Sequence, residues 1–329
     1  MSYPVLIVNL NKLRINCRNI VSICREKNIS VTGITKSVFN DLAIAETMLH
    51  SGCTSIGESR ISNLKKIISL PCEKLLTRVP LLSEAEDVVK FADISLNSEI
   101  KTIKALNSCA EKEGKKHKIF LLLETGDFRD GENIENINST TDEILKLKNI
   151  EFLGIASNMA CLSDSFPTTD IFSELLDIRE KLEKKSGLKL WISAGNSSFL
   201  HILPLISKQE RVTLRIGEGL LLGRDTVQKN TLPGSFDDVF LLAAEIIELK
   251  IKNNSLRGVL AMGCVEINLQ GLRPLDENIL LTGVTSDHTI IEFKNNNTHY
   301  KLGDKILFKV DYWTLLKIFS LPDVSKIYI

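Results

Sequence analysis

The 329-residue chain is 43% hydrophobic and 25% charged, with 18 glycines and 8 prolines, a balance that excludes disordered, collagen-like and fibrous classes. Its length is about twice that of a usual single domain and predicts two domains or one barrel with an appendage. Lys plus Arg and Asp plus Glu number 41 each, so the formal charge of zero offers no footprint for nucleic acid or an anionic membrane, and a small-molecule partner is expected.

The opening MSYPVLIVNLNKLRIN has a short apolar run without a cleavage-type tail. No later stretch approaches the roughly 18 to 20 apolar residues of a membrane span, so a cytoplasmic location is expected. The seven cysteines are odd in number, lack a CxxC pair and fit no zinc spacing, which reads as reduced thiols and no metal site. An isolated strand at Pro4 to Val8 comes first. Leu13, Cys17, Ile20, Val21 and Cys24 then recur at helical spacing, predicting a helix that ends near Asn28 with both cysteines in the core.

Short β-branched runs alternate with amphipathic stretches from there on. Strands are predicted at Ser30–Thr35, Thr54–Gly57, Lys74–Val79, Ala92–Leu96, His117–Leu123, Glu151–Ala156, Lys189–Ser193 and Arg211–Ile216. Among the intervening helices, Thr169 to Lys185 carries Ile171, Leu175, Ile178 and Leu182 on one face, with Thr169 as its cap and Gly187 as its stop. Eight βα units suit a closed (β/α)8 barrel better than an open doubly wound sheet, which usually has fewer strands and a Gly-rich first turn. After Gly223 the runs at Val239–Lys252, Gly258–Met262, Ile279–Val284, Thr289–Phe293 and Lys305–Val310 predict a β-rich second domain, and the polar Lys294–Thr298 reads as a hairpin loop. The expected organisation is an N-terminal strand joining the β domain (1–10), a barrel (11–228) and a C-terminal β domain (229–329).

Functional groups of such barrels sit where the strands end, at the C-terminal face. Lys36 follows the first strand and is either a surface lysine or an amine whose pKa desolvation and nearby cations lower, making it nucleophilic. Arg60 follows the second strand, Glu124 to Arg129 the fifth and Asn158 the sixth. Ser193–Ser198 and Arg215–Gly219 offer free backbone N–H groups, hydroxyls and a positive helix end where barrels often hold phosphate. Gly217, Gly219 and Gly223 are not spaced as GxGxxG, so a dinucleotide-binding turn has no support. Arg129, beyond the Gly126 turn, could fork onto a carboxylate or phenolate, or lie on an exposed turn. An imine-forming lysine, a phosphate cradle and two arginines are the parts that bind pyridoxal phosphate.

The stretches Gly33–Lys36, Gly57–Leu64, Ala92–Glu99, Gly126–Gly131, Gly195–Ser198 and Leu214–Glu218, ordered along eight βα units, resemble the alanine racemase-like pyridoxal-phosphate enzymes, within them the ornithine racemase branch. The resemblance covers nearly the whole chain. It implies that Lys36 is joined to the cofactor and is one of two bases exchanging the α-proton, and that Arg215 faces the pyridine nitrogen. It further implies that Arg129 contacts the phenolic oxygen or substrate carboxylate, that Ser197, Ser198, Gly217 and Asn196 hold the phosphate, and that Asn158 takes the place of the ring-stacking residue. A homodimer is implied, in which the partner's β domain completes each site.

The second acid/base stays open between two places. Cys264, in Ala261–Glu266, stands where the family has a tyrosine, and Asp287 with His288 lies on the family's other β-domain active-site strand, with Ser286 beside them as a substrate contact. A phosphate-contacting tyrosine of the family aligns with Leu321 and another with Asn40, while the Lys250–Arg257 connection is shorter than in ornithine racemase-like chains. A distal substrate ammonium would need an acidic partner, with Glu58, Glu124 and Glu266 as candidates by position. The expected activity is racemisation of ornithine or another basic or small amino acid. The alternatives are a non-catalytic pyridoxal-phosphate carrier, although such carriers lack a β domain, and a barrel that binds a phosphorylated metabolite without an imine.

Overall fold

The computed structural model describes residues 4–329; the first three residues of the segment expected at 1–10 lie outside them. Strand β1 (Val5–Val8) leads into helix α1 (Leu10–Glu26). There follow β2 (Ile29–Ile34), α2 (Leu42–His50), β3 (Ser55–Glu58), α3 (Ile61–Leu64), β4 (Glu73–Leu76), α4 (Ala85–Phe91) and β5 (Ile94–Asn97). The alternation continues through α5 (Ile100–Lys112), β6 (His117–Leu123), α6 (Ile137–Ile144), β7 (Ile150–Ser157), α7 (Thr169–Ser186), β8 (Trp191–Ser193) and β9 (Val212–Ile216). Strands β2 to β9 form a closed barrel of eight, parallel throughout. The seam between β9 and β2 sets Thr32 opposite Arg215 and Gly33 opposite Ile216, so the ends of the first and last barrel strands emerge side by side.

Strand periodicity divides the barrel's apolar residues into two layers. Ile119, Leu121, Leu123 and Ile155 pack outward with helix residues such as Ile103 and Leu106. Leu75, Ile94, Leu96, Phe120, Leu122 and Ala156 form a separate inner cluster that fills the lumen. Between β6 and β7 the register slips at Ile119/Phe120, and Gly154 absorbs it with φ of 144°; a Cβ there would come within 2.0 Å of the Trp191 carbonyl oxygen.

Helix α1 begins where the Asn9 side chain accepts from the Lys12 backbone N–H at 2.9 Å, and Leu13, Cys17, Ile20, Val21 and Cys24 form its buried face as predicted. In α7 the cap is Thr168 rather than Thr169: its Oγ1 accepts from Ile171 N at 3.2 Å, because the cap lies one residue outside the first helical one. Gly187 stops that helix at φ 73°.

After β9, a short helix α8 (Glu218–Leu222) leads to the second sheet: β10 (Phe240–Lys252), β11 (Ser255–Leu260), β12 (Leu272–Pro274), β13 (Ile279–Val284), β14 (Thr289–Phe293) and β15 (Lys305–Val310), then α9 (Tyr312–Ser320) and β16 (Ser325–Tyr328). The strand order is β12-β15-β10-β11-β14-β13, with β1 pairing antiparallel to β10 and parallel to β16. The Lys294–Thr298 loop is not a hairpin, since β14 and β15 are not neighbours. It is a crossover, and Asn296 in it accepts from Leu256 N at 2.8 Å and donates to Asn254 O at 2.9 Å. That clips the β10–β11 turn, where Asn253 and Asn254 have φ of 50° and 62° and close the strands with two residues.

Asn16 of α1 joins the barrel to the chain entering β10. Fully buried, it donates to Phe236 O at 2.8 Å and accepts from Phe236 N at 2.7 Å. Asn16→Ala removes both bonds and strands the backbone groups, so a loss of about 2–3 kcal/mol is expected in urea unfolding. A loss below about 0.5 kcal/mol would show that water replaces the amide there.

Candidate active site

A cavity of about 510 Å³ opens at the C-terminal mouth of the barrel. Its apolar floor is formed by Ile34, Leu96 and Leu122 at the strand ends. The predicted residues Lys36, Arg129, Asn158, Asn196, Ser197, Arg215 and Gly217 all line it. Lys36 opens a single 3-10 turn immediately after β2. Its side chain is exposed to the cavity, with Nζ 5.9 Å from the centre of the Tyr312 ring.

Arg215 differs in character, being a strand residue aimed inward. It donates to the carbonyl and hydroxyl of Ser193 and to the carbonyl of Ser157, and is only 4% exposed. Burial lowers its pKa to about 10, which still leaves the guanidinium charged at neutral pH. Arg129 is held by Asp130, its Nε donating to Oδ1 at 2.8 Å. Burial opposes its charge, yet Asp130, Cys161 and Asp127 outweigh that and raise its pKa. Turned with its oxygen toward the guanidinium, the Asn158 carboxamide accepts from Arg129 Nη1 at 3.2 Å and Nη2 at 3.3 Å.

In the segments after β8 and β9, three of the backbone N–H groups expected to be free already have partners within the chain. Asn196 Oδ1 accepts from Ser198 N at 2.8 Å, and Ser197 Oγ accepts from Gly217 N at 3.3 Å and Gly219 N at 3.1 Å. Ser198 does not line the cavity surface; its buried hydroxyl has no hydrogen-bond partner. An orphaned donor costs about 1–3 kcal/mol, and this one adjoins Ser197, which does line the cavity.

Four predicted residues do not reach this cavity from their own chain. Cys264, Ser286, Asp287 and His288 sit together at the tip of the β domain, where Cys264 N donates to Thr285 O at 2.8 Å and Val265 N to Ser286 O at 3.1 Å. Lys317 braces the tip by donating to the carbonyls of Cys264 and Ile267. Cys264, Asp287 and His288 are exposed. Arg60 is exposed and does not line the cavity.

The three acidic candidates for an ammonium are also elsewhere. Glu58, the last residue of β3, is fully buried without lining the cavity, and burial raises its pKa. Glu124 is occupied in its turn, accepting from Gly126 N at 2.6 Å and Phe128 N at 3.0 Å, and Glu266 accepts from Gly263 N at 2.9 Å.

Sequence reading missed Tyr312 and Trp313, which enter the cavity from the start of α9. Leu321, aligned with the family's tyrosine, caps the far end of that helix, so Tyr312 is the tyrosine that reaches the site. Burial raises the Tyr312 pKa and keeps the phenol protonated. The signal was present: Asp311 caps Thr314 N at 2.8 Å, ahead of apolar residues at 312, 315 and 318. Asn40 is buried outside the cavity, donating to Asn63 O at 2.9 Å. Cys161, Asp164 and Glu218 also line the cavity without having been assigned a role. The remaining thiols do not compete as nucleophiles in the core, since burial pushes Cys24 and Cys53 up to about 12.

A closed parallel barrel with a lysine and two arginines at its mouth, followed by an antiparallel β domain, is the fold class of the alanine racemases. The alanine racemase from Bartonella henselae with covalently bound pyridoxal phosphate superposes with a TM-score of 0.78 at 14% identity, over 100% of both chains. The model of the alanine racemase N-terminal domain matches residues 8–224, and the chain belongs to that family. An ornithine racemase from Acetoanaerobium sticklandii is 36% identical, over 98% of this chain and 99% of the relative. A lysine racemase from Thermotoga maritima is 30% identical, over 100% of this chain and 99% of the relative. Among the described residues no helix is long and apolar enough to cross a membrane, and no group of three His, Cys, Asp or Glu side chains could hold a metal ion.

Proposed function

We propose that the chain is a pyridoxal-phosphate-dependent racemase of a basic amino acid, ornithine or lysine, acting as a homodimer whose partner β domain completes each site. The observation that carries this reading is the convergence of Lys36, Arg129, Ser197, Arg215 and Tyr312 on one cavity. The residues fit the cofactor: an apolar floor for a ring, a buried unpartnered Ser198 hydroxyl and the Ser197–Gly217 corner for a phosphate, and a primary amine facing them. The names of the two curated relatives support the basic substrate.

When bound, the cofactor supplies an electron sink for the carbon that loses its proton. The chain's own groups do the rest. Lys36 Nζ, free to move in the cavity, holds or delivers a proton on one face of the substrate α-carbon. Arg215 would face the ring nitrogen, and a guanidinium locked to Ser157 and Ser193 neither releases its proton readily nor swings away, so it would offer that nitrogen no ready proton. Arg129, fixed by Asp130 and Asn158, would hold the phenolic oxygen or the α-carboxylate. The phosphate would be held by Ser197, Ser198, Asn196, Gly217 and Tyr312.

A proton returned to the opposite face requires a second group, for which the exposed tip of a partner's β domain offers Cys264 or Asp287 and His288. The test is to load the protein with pyridoxal phosphate, reduce it with borohydride and map the labelled peptide. In parallel, α-hydrogen exchange is followed in D₂O with ornithine and lysine. Label on Lys36 with exchange of either amino acid is the expected result. Label without exchange favours the carrier, and no label favours a barrel for a phosphorylated metabolite.

A further inference from the structure

The cavity wall contains two carboxylates, and they differ in their neighbours. Burial raises the pKa of Glu218, and Asp311 adds to that, against the opposing influence of Lys229, Arg224 and Lys36. Asp164 lies on the Asn158–Pro167 loop, and among the described residues its carboxylate has neither a hydrogen-bond nor an ion-pair partner. The loop is nonetheless fixed. Asp127, 3% exposed, accepts from three consecutive backbone N–H groups, those of Cys161, Leu162 and Ser163, at 3.0, 2.9 and 3.3 Å. Ser163 Oγ donates to Gly126 O at 3.0 Å. The turn that carries Arg129 thereby also holds Asp164 at the cavity wall.

We infer that Asp164 is the specificity-determining residue that receives the distal ammonium of a basic amino acid, while Arg129 on the adjoining turn holds the α-carboxylate. The inference rests on the racemase reading of the same cavity. A cationic side chain entering a cavity already lined by Lys36, Arg129 and Arg215 meets repulsion unless an anion faces it. Among the described residues neither carboxylate has an ion-pair partner, but burial disfavours the charge of Glu218 and three cations already act on it, whereas Asp164 is exposed at the cavity wall and stays available as the anion. The backbone that carries Asp164 is anchored through Asp127, so little loop ordering is lost when the ammonium arrives. Phe166 on the same loop lines the cavity and offers an apolar surface for the methylenes between the two charged ends.

The experiment compares ornithine with norvaline, the same five-carbon skeleton without the distal amine, for the wild type, D164N and D164E in the cofactor-loaded protein. Two readouts are taken: kcat/KM for α-hydrogen exchange, and Kd from the fluorescence of Trp313, which lines the cavity. D164N is expected to weaken ornithine about tenfold in both, chiefly through KM, and to leave norvaline unchanged. This magnitude is a charged hydrogen bond discounted for partial exposure. D164E should restore part of the preference.

An equal loss for both amino acids would mean that Asp164 only shapes the loop, and an unchanged ornithine-to-norvaline ratio would mean that the ammonium goes elsewhere. Either result overturns the inference, as does a wild type that binds the two alike. A wild type that binds ornithine in preference through Asp164 but exchanges no α-hydrogen would instead defeat the racemase reading and leave this assignment standing.

Discussion

Lys36→Ala is expected to lower α-hydrogen exchange by about 10³-fold or more while leaving urea unfolding within about 0.5 kcal/mol of the wild type. The two halves of that expectation have separate causes. The Lys36 side chain is exposed and stands 5.9 Å from the centre of the Tyr312 ring, so truncation opens no hole and orphans no buried group. The 3-10 turn that presents it is set by backbone bonds, Val38 N to Thr35 O at 3.0 Å and Thr35 N to Gly57 O at 3.0 Å, which alanine preserves. What the variant loses is a primary amine at a barrel strand end that lines the same cavity as Arg215. Lys36→Arg checks the distinction, because a guanidinium keeps the charge yet cannot readily shed a proton at neutral pH. Arginine should therefore be as inactive as alanine, and substantial exchange in either variant would mean that another group moves the proton.

The barrel was legible because its signals are local. Parallel strands buried on both faces read as short apolar runs, and His117–Leu123 was located to the residue; the other barrel strands moved by no more than three residues at either end. The mouth was legible for the same reason, since the strand ends of a closed barrel converge and the residues after them meet without further information.

What escaped depends on long-range pairing. Helix α9 was hidden behind strand-like composition, Tyr-Trp-Thr at its start, and only its packing against the turn at Lys36 makes Tyr312 a site residue. Asp164 and Cys161 lie in a loop whose course is fixed by the buried Asp127, and no periodicity announces a nest of that kind. Lys294–Thr298 was misread because sequence neighbours usually pair, whereas β14 and β15 belong to opposite sides of β10 and β11.

Mixing two inactive proteins should regenerate activity, and the amount expected is set by symmetry. One partner is Lys36→Ala; the other carries Cys264→Ala, Asp287→Asn and His288→Ala together, which covers both places left open for the second acid/base. The three side chains belong to a single tip, with Gly263 packed so closely on Ser286 that a Cβ there would come within 2.2 Å of its carbonyl oxygen. That tip is braced by Lys317 yet does not line the cavity of its own chain. If it serves the cavity of a partner, each homodimer lacks one half of both sites.

After random exchange of subunits, about half of the dimers are mixed, and each mixed dimer has one site with a native lysine and a native tip. Recovery of about a quarter of wild-type exchange follows. The single variants then assign the role, since only the loss of the true second base should block recovery. No recovery, in a sample where native mass spectrometry shows mixed dimers, would place both bases within one chain. Cys161, already at the cavity wall with the Asn196 amide 3.3 Å from its sulfur, would then be the side chain to replace next.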